Sequence, residues 1–322
     1  MGKHILVHGS LAIDYIMDFK NNLYKNAFID NDKQSFSMAI MPSTKKMQYG
    51  GTAGNIAHNL GQLKAPCEIL TSVGVDFEST KYKEKLASYD TITLNLIKHE
   101  DGFCANCYIV NDIKKQQLIV YHGGVTQRIP NENLKGRGIS GENISWAINS
   151  PENPLQMIRV SQELDQLGIN CILDTGQVTP AFSRDDLINM IKKSKIMISN
   201  ENEFKMISDI VKLGLDDIKQ LIETIIITKG ENGSCIYSKN KEIDIPIVEA
   251  NQVLDPTGAG DGYRAGLLGA LHQDLPVEYG CKLGATMASF VVETIGAQTH
   301  QVSLAQIKQR FEEKFEAFKY VF

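Results

Sequence analysis

Asp255-Pro256-Thr257-Gly258-Ala259-Gly260-Asp261 runs directly into an apolar stretch, Gly262 to Leu271, with the spacing of a helix. Glycines at the start of a helix let backbone N–H groups converge on a guest, and the helix dipole adds partial positive charge there, so the segment is a natural anion site. An acid one residue past the glycines reaches into the same space. Asp261 is therefore a candidate base for a hydroxyl that attacks a phosphate held by the amides of Gly258, Ala259 and Gly260. Read alone, the string is equally a turn followed by a capped helix.

Upstream of this stretch, strand and helix patterns alternate. Leu155 to Leu167 has helical spacing, Asn170 to Leu173 reads as a strand, Arg184 to Lys193 as a helix and Ile196 to Ser199 as a strand. Glu223 to Thr228 is a β-branched run that ends at Lys229-Gly230. Such runs between helices indicate parallel strands buried on both faces. Downstream, helices are expected over Ala259 to Leu271, Pro276 to Glu293 and Ser303 to Phe318. The fold class is α/β, a mostly parallel sheet flanked by helices.

Three further elements carry chemistry. Gly50-Gly51-Thr52-Ala53-Gly54-Asn55-Ile56-Ala57 opens a helix whose apolar positions Ile56, Leu60 and Leu63 share one face. Its paired glycines permit close approach of backbone to ligand, and Asn55 carries a donor and an acceptor suited to a sugar hydroxyl. Asp14 follows the strand Ile5 to Val7, where open α/β sheets bind ligands, and is placed to accept sugar hydroxyls. Asn200-Glu201-Asn202-Glu203 holds the same topological position after Ile196 to Ser199. Its carboxylates suit water-mediated Mg²⁺ beside a phosphate, or simply a capped first turn. The dinucleotide fingerprint is missing its third glycine, and no GxxxxGK(S/T) phosphate loop is present.

Two segments interrupt the α/β pattern. Residues 18–48 include the polar stretch Ile29 to Gln34, and residues 91–124 read as strands, Thr91 to Ile97, Cys104 to Val110 and Leu118 to Tyr121, joined by turns. Together they are expected to form a small β-sheet lid on a large domain made of residues 1–17, 49–90 and 125–322. A projecting lid leaves the chain a monomer or a homodimer paired through it.

The chain has 322 residues and a net charge of −5, which argues against nucleic acid or an anionic membrane surface as partner. No apolar run approaches the roughly 18 residues of a membrane span, and the N-terminus does not read as a signal peptide, so a cytoplasmic location is expected. The six cysteines are dispersed, and the one CxxC, Cys104 and Cys107, has no second pair or His cluster beside it. They read as unlinked thiols.

The Gly-Gly…Asn element at 50–55 and Asp-Pro-Thr-Gly-Ala-Gly-Asp at 255–261, in this order, resemble the ribokinase family, the PfkB-type sugar and nucleoside kinases. Val73-Gly74-Val75-Asp76, Thr228-Lys229-Gly230 with Gly233, and the pair Asn200 and Glu203 extend the likeness over essentially the whole chain. Within the family, Gly9 to Asp14, Gly50 to Leu60, Gly260 to Leu268 and Gly296-Ala297-Gln298-Thr299-His300 are most similar to bacterial adenosine kinases.

The resemblance implies a ribokinase-like fold and ATP-dependent phosphorylation of the 5′-hydroxyl of adenosine to AMP, a purine-salvage reaction. It implies Asp261 as base, an anion hole of Gly258, Ala259 and Gly260, and ribose contacts from Asp14, Gly50, Gly51 and Asn55. Asn200, Thr228, Gly230 and Gly233 would lie along ATP with Gly258 and Gly260, and Glu203 would hold Mg²⁺ through water. K⁺ would sit near Asp255, Thr257 and the Gly296 loop. Adenine would rest on lid residues such as Met38 or Phe103. The chain departs from similar adenosine kinases at Gly123-Gly124-Val125, where they tend to have Gly-Ala-Met, and that difference falls on the base pocket. Competing readings are a family kinase for inosine, guanosine, ribose or a hexose, and a non-catalytic nucleoside-binding regulator.

Overall fold

The computed structural model describes residues 2–30, 35–114, 116–239 and 241–321, so residues 31–34 of the polar stretch lie outside the described residues. Nine strands form the main sheet. In spatial order they are Glu242–Ile245, Ser234–Tyr237, Thr224–Thr228, Ile196–Asn200, Cys171–Leu173, Ile144–Asn149, His4–His8, Cys67–Val73 and Ile92–Lys98. The seven from Thr224–Thr228 onward are parallel, and the other two close one edge as antiparallel neighbours.

Alternation along each strand feeds two helical layers. Ile226 packs in one core with Ile56, Leu283 and Phe311, while its neighbours Ile225 and Ile227 pack in the other with Leu187 and Ile207. The continuous isoleucine run of this strand is thus required by helices on both faces. On one side lie Thr52–Gln62, Ala259–His272, Val277–Val291 and Leu304–Lys314; on the other lie Pro154–Gln166, Arg184–Lys192 and Glu201–Val211. The last helix ends at Lys314, short of the expected Phe318, because Phe315 is extended and lets Phe315 and Phe318 both fold onto the Phe311 ring.

Strand order runs one way from His4–His8 through Cys67–Val73 and the other way through Ile144–Asn149. That reversal opens a crevice beyond the carboxyl ends of His4–His8 and Ile144–Asn149. Gly51 and Thr52 line it, with the Thr52 hydroxyl 3.0 Å from that of Ser150.

A second sheet of four strands, Thr44–Gly50, Ala12–Asp18, Ala105–Asn111 and Gln117–His122, stands beside the first, with the hairpin Ala27–Asp30 and Ser35–Met38. Two expectations about this lid need correction. Ile92–Lys98 belongs to the main sheet, paired in parallel with Cys67–Val73, because its apolar residues Leu94 and Leu96 pack on the main core. The lid also begins earlier than residue 18, since Asp14 lies within the strand Ala12–Asp18, paired along its whole length on both sides.

The helices Ala259–His272 and Val277–Val291 approach backbone to backbone. A Cβ on Gly266 would lie 2.5 Å from the amide nitrogen of Gly284. Gly266→Ala gains helix propensity of up to about 1 kcal/mol but meets unyielding backbone, where overpacking costs about 1–3 kcal/mol. A lowered melting temperature is the expected outcome, checked by calorimetry.

Candidate active site

The start of the Ala259–His272 helix faces the crevice. Asp261 lies in its first turn, and its Oδ2 accepts a hydrogen bond from Asn55 Nδ2 at 2.8 Å. Asn55 Oδ1 in turn accepts from Gln298 Nε2 at 2.9 Å, the same nitrogen donates to the Tyr82 hydroxyl at 2.6 Å, and Tyr82 donates to the Gly50 carbonyl at 2.8 Å. Asn55 was expected on ribose hydroxyls. The structure ties its amide to Asp261 and Gln298, because helix Thr52–Gln62 packs directly against helix Ala259–His272 and turns that side chain toward the acid.

Burial pushes the Asp261 carboxyl up to about 7; Arg264 and the Asn55 hydrogen bond pull the other way, and the charges of Asp174 and Glu203 raise it further. Arg264 is itself buried. Its Nε and Nη2 donate to Asp174 at 2.5 and 2.9 Å, and its Nη1 donates to the Gly260 carbonyl at 3.0 Å. This fork holds the first turn of the helix against the end of the Cys171–Leu173 strand.

Gly258 precedes the helix at φ 83°, a left-handed conformation that favours glycine, and a Cβ there would lie 2.5 Å from the Cβ of Ala297. The amide of Ala259 is engaged with the Pro256 carbonyl at 3.1 Å. Of the three residues expected to form an anion hole, Ala259 therefore does not offer its N–H. The first bond of the helix is Gly262 N–H to Gly258 C=O at 2.9 Å, so the amides of Gly260 and Asp261 precede the ladder and open toward the crevice.

On one side of these amides lies a cavity of about 380 Å³, lined by Thr228, Gly230, Gly233 and Gly260 together with the apolar Val253, Ala285 and Val292. Four of the residues expected along a nucleotide thus converge on this cavity, while Asn200 and Gly258 do not line it. Asn200 and Glu203 form a reciprocal cap: Asn200 Oδ1 accepts from Glu203 N–H at 2.9 Å, and Glu203 Oε2 accepts from Asn200 N–H at 2.8 Å. The plain capped-helix reading of this element is the one the geometry shows, though Glu203 still acts electrostatically on Asp261. Asp255 staples two loops, its Oδ1 accepting from Thr257 N–H and its Oδ2 from Gly296 N–H, both at 2.9 Å. Burial raises this carboxyl, but the Thr257 side chain and the two N–H donors together outweigh it and leave the group below the usual range.

On the other side stands the lid. Asp14 lies level with Gln48 and Cys107 on neighbouring strands, and Tyr121 lies opposite Cys107, so all four share a face. Burial raises the Asp14 carboxyl to about 6. Gly50 abuts it, a Cβ there falling 2.5 Å from Asp14 Oδ2. Met38 packs into the lid's own small core with Phe19, Leu23 and Val110, and Phe103 is exposed. All six cysteines are free thiols, and Cys104 accepts from the Gly74 amide rather than joining Cys107. Among the described residues no cluster of three or more His, Cys, Asp or Glu could hold a metal, and no helix is long and apolar enough to cross a membrane. Arg264, Asp174, Gln298 and Tyr82 were not anticipated. Only their place in the strings beside Asp261 and Gly296 pointed to two of them.

The model of the pfkB family of carbohydrate kinases matches residues 10–303. The chain belongs to that family, the ribokinase family. A nucleoside kinase of Methanocaldococcus jannaschii is 31% identical over 94% of this chain and 95% of its own length. The crystal structure of M. jannaschii nucleoside kinase, described as an archaeal member of the ribokinase family, superposes with a TM-score of 0.84 over 97% of this chain and 100% of that one at 28% identity. A Burkholderia thailandensis nucleoside kinase in complex with inosine has a TM-score of 0.78, 26% identity, and coverage of 97% and 98%. These relatives share the large sheet, the flanking helices and the small separate sheet of the ribokinase-like fold.

The raised carboxyl of Asp261 has a measurable consequence in this kinase. Its folded value of about 7 exceeds its unfolded value of about 3.8, so its contribution to stability is fully present below the unfolded value and is lost as pH rises through about 7. Asp261→Asn removes that ionisation. The variant is expected to melt at a higher temperature than the parent on the alkaline side of 7, with the difference shrinking as pH falls and vanishing only near the unfolded value of about 3.8; thermal melts across pH check this.

Proposed function

We propose that this ribokinase-family kinase is a nucleoside kinase that transfers the γ-phosphoryl group of ATP to the 5′-hydroxyl of adenosine. The observation that carries the reading is the position of Asp261, a half-buried acid beside open helix-start amides, with the roughly 380 Å³ cavity on one side and Asp14 on the other. A nucleotide in the cavity brings its terminal phosphate to the amides of Gly260 and Asp261, and a ribose against Asp14 brings its 5′-hydroxyl to the Asp261 carboxylate. The Asp261 carboxylate takes the hydroxyl proton as the oxygen attacks phosphorus, and the bond to the ADP leaving oxygen breaks. Phosphoryl transfer asks the protein mainly to position the reactants and to balance charge on the moving oxygens. A base adds about 10²–10⁴-fold. The lid keeps water, a competing acceptor, from the phosphoryl group.

Mg²⁺ suits this arrangement, since it takes one or two carboxylates plus phosphates and keeps its waters, and Glu203 would hold it through water. It would supply charge neutralisation on the phosphates. K⁺ would sit beside Asp255 and Thr257, under the Gly296 loop.

The relatives named nucleoside kinase support a nucleoside acceptor, and the strings shared with bacterial adenosine kinases favour adenosine. A second reading, inosine, is favoured by the inosine complex of the Burkholderia relative. Steady-state rates with ATP and Mg²⁺ on adenosine, inosine, guanosine, cytidine, ribose and fructose, with and without K⁺, separate them. Adenosine is expected to lead in kcat/KM, and a free sugar in the lead would overturn the nucleoside assignment.

Two variants test the residue roles. Asp261→Asn is expected to keep ATP binding while lowering kcat by ~10² or more. Asp14→Ala is expected to raise the nucleoside KM several-fold, roughly as loss of a charged hydrogen bond does, with kcat less affected.

A further inference from the structure

Gln298 is buried in the Gly296 loop and does not line the nucleotide-side cavity, yet it sits at the junction of the hydrogen bonds that end on Asp261. The direction of every bond in that chain follows from its two ends, the Asp261 carboxylate and the Gly50 carbonyl. A carboxylate only accepts, so Asn55 must present Nδ2 to Asp261, which leaves Asn55 Oδ1 in need of a donor. The Tyr82 hydroxyl proton is engaged with the Gly50 carbonyl, so Tyr82 offers Gln298 a lone pair as well. Two acceptors face Gln298, and only its NH₂ group satisfies both, at 2.9 and 2.6 Å. Its Oε1 is left buried with no hydrogen-bond partner among the described residues. A side chain that leaves one of its own polar atoms orphaned to keep this orientation is held there by its neighbours.

We propose that Gln298 is a positioning residue for the base: by capping Asn55 Oδ1 it commits the Asn55 amide to donate to Asp261, with Tyr82 fixing Gln298 from the far side. The inference rests on the reading of Asp261 as base. Without Gln298 the Asn55 amide is free to turn, and in the turned form it presents an oxygen to the carboxylate. The donor that favours the ionised acid is then lost and the acid holds its proton to higher pH. The other titratable or charged groups facing Asp261 are Arg264 on its own helix, Asp174 after the Cys171–Leu173 strand, Glu203 on the Glu201–Val211 helix and Tyr82 on the Tyr82–Ala87 helix. None of them replaces a donor from the Asn55 side.

The test is kcat/KM for the best nucleoside acceptor as a function of pH at saturating ATP, in the full-length enzyme. Gln298→Leu is expected to move the acidic limb up by roughly 0.5–1 pH unit, the size of one hydrogen bond to the acid, and to converge on the parent rate at the alkaline plateau. Gln298→Glu keeps the shape but places an acceptor against Asn55 Oδ1 once ionised, so its activity is expected to fall with rising pH instead of reaching a plateau. Tyr82→Phe is expected to give a smaller shift in the Gln298→Leu direction, and decides the matter if Gln298→Leu fails to fold. A loss of rate that is the same at every pH, or an unmoved limb in both Gln298→Leu and Tyr82→Phe, would overturn the proposal and leave Gln298 a packing residue. Near-normal turnover in Asp261→Asn would instead remove the base itself, a separate result from an unmoved limb.

Discussion

A carboxylate held in surroundings that resist its charge, Asp261 at the start of the Ala259–His272 helix, organises this molecule. Burial alone would keep the acid protonated, and the structure answers with one neutral donor, Asn55, and one buried cation, Arg264. Each of these needs support of its own. Arg264 is neutralised by Asp174 and clamps the Gly260 carbonyl, while Asn55 is oriented through Gln298, Tyr82 and Gly50. The result is an acid whose carboxyl is raised to about 7.

The fold supplies this arrangement through close helix packing and the reversal of strand order. Helix Thr52–Gln62 carries Asn55 to Asp261, and the Val277–Val291 helix lies against the Ala259 helix closely enough that Gly266 has no room for a methyl group. Asp255 joins the Gly258 turn to the Gly296 loop, which in turn carries Gln298. The glycine-rich turn, the acid and the loop behind it are therefore tied together. The lid strand Ala12–Asp18 brings Asp14 over the same crevice, next to Gly50, where the chain of hydrogen bonds from Asp261 ends.

Much of this was legible in the chain itself. The isoleucines of Thr224–Thr228 announce a strand covered on both faces, and the glycines before Asp261 announce an anion site at a helix start. Asn200 and Glu203 were legible in both senses, as a ligand set and as a cap, and the cap is what the backbone shows. The lid was harder. Its strands have ordinary alternation, and nothing local distinguishes Ile92–Lys98, an edge strand of the main sheet, from Ala105–Asn111, a strand of the lid; the partner across the gap makes the difference.

The sequence by itself determined the fold class, the family and the acid at its centre, because periodicity and glycine placement act over a few residues and leave their mark there. Only the tertiary structure decided which groups act on that acid. Asn55, Gln298 and Arg264 meet Asp261 or one another across separations of 206 and 243 residues, or through Asp174 at 90. The same folding engages the Ala259 amide and turns Asn55 toward Asp261. Hydrogen-bond direction and desolvation depend on what lies within a few ångströms in space, and local spacing along the chain does not encode that.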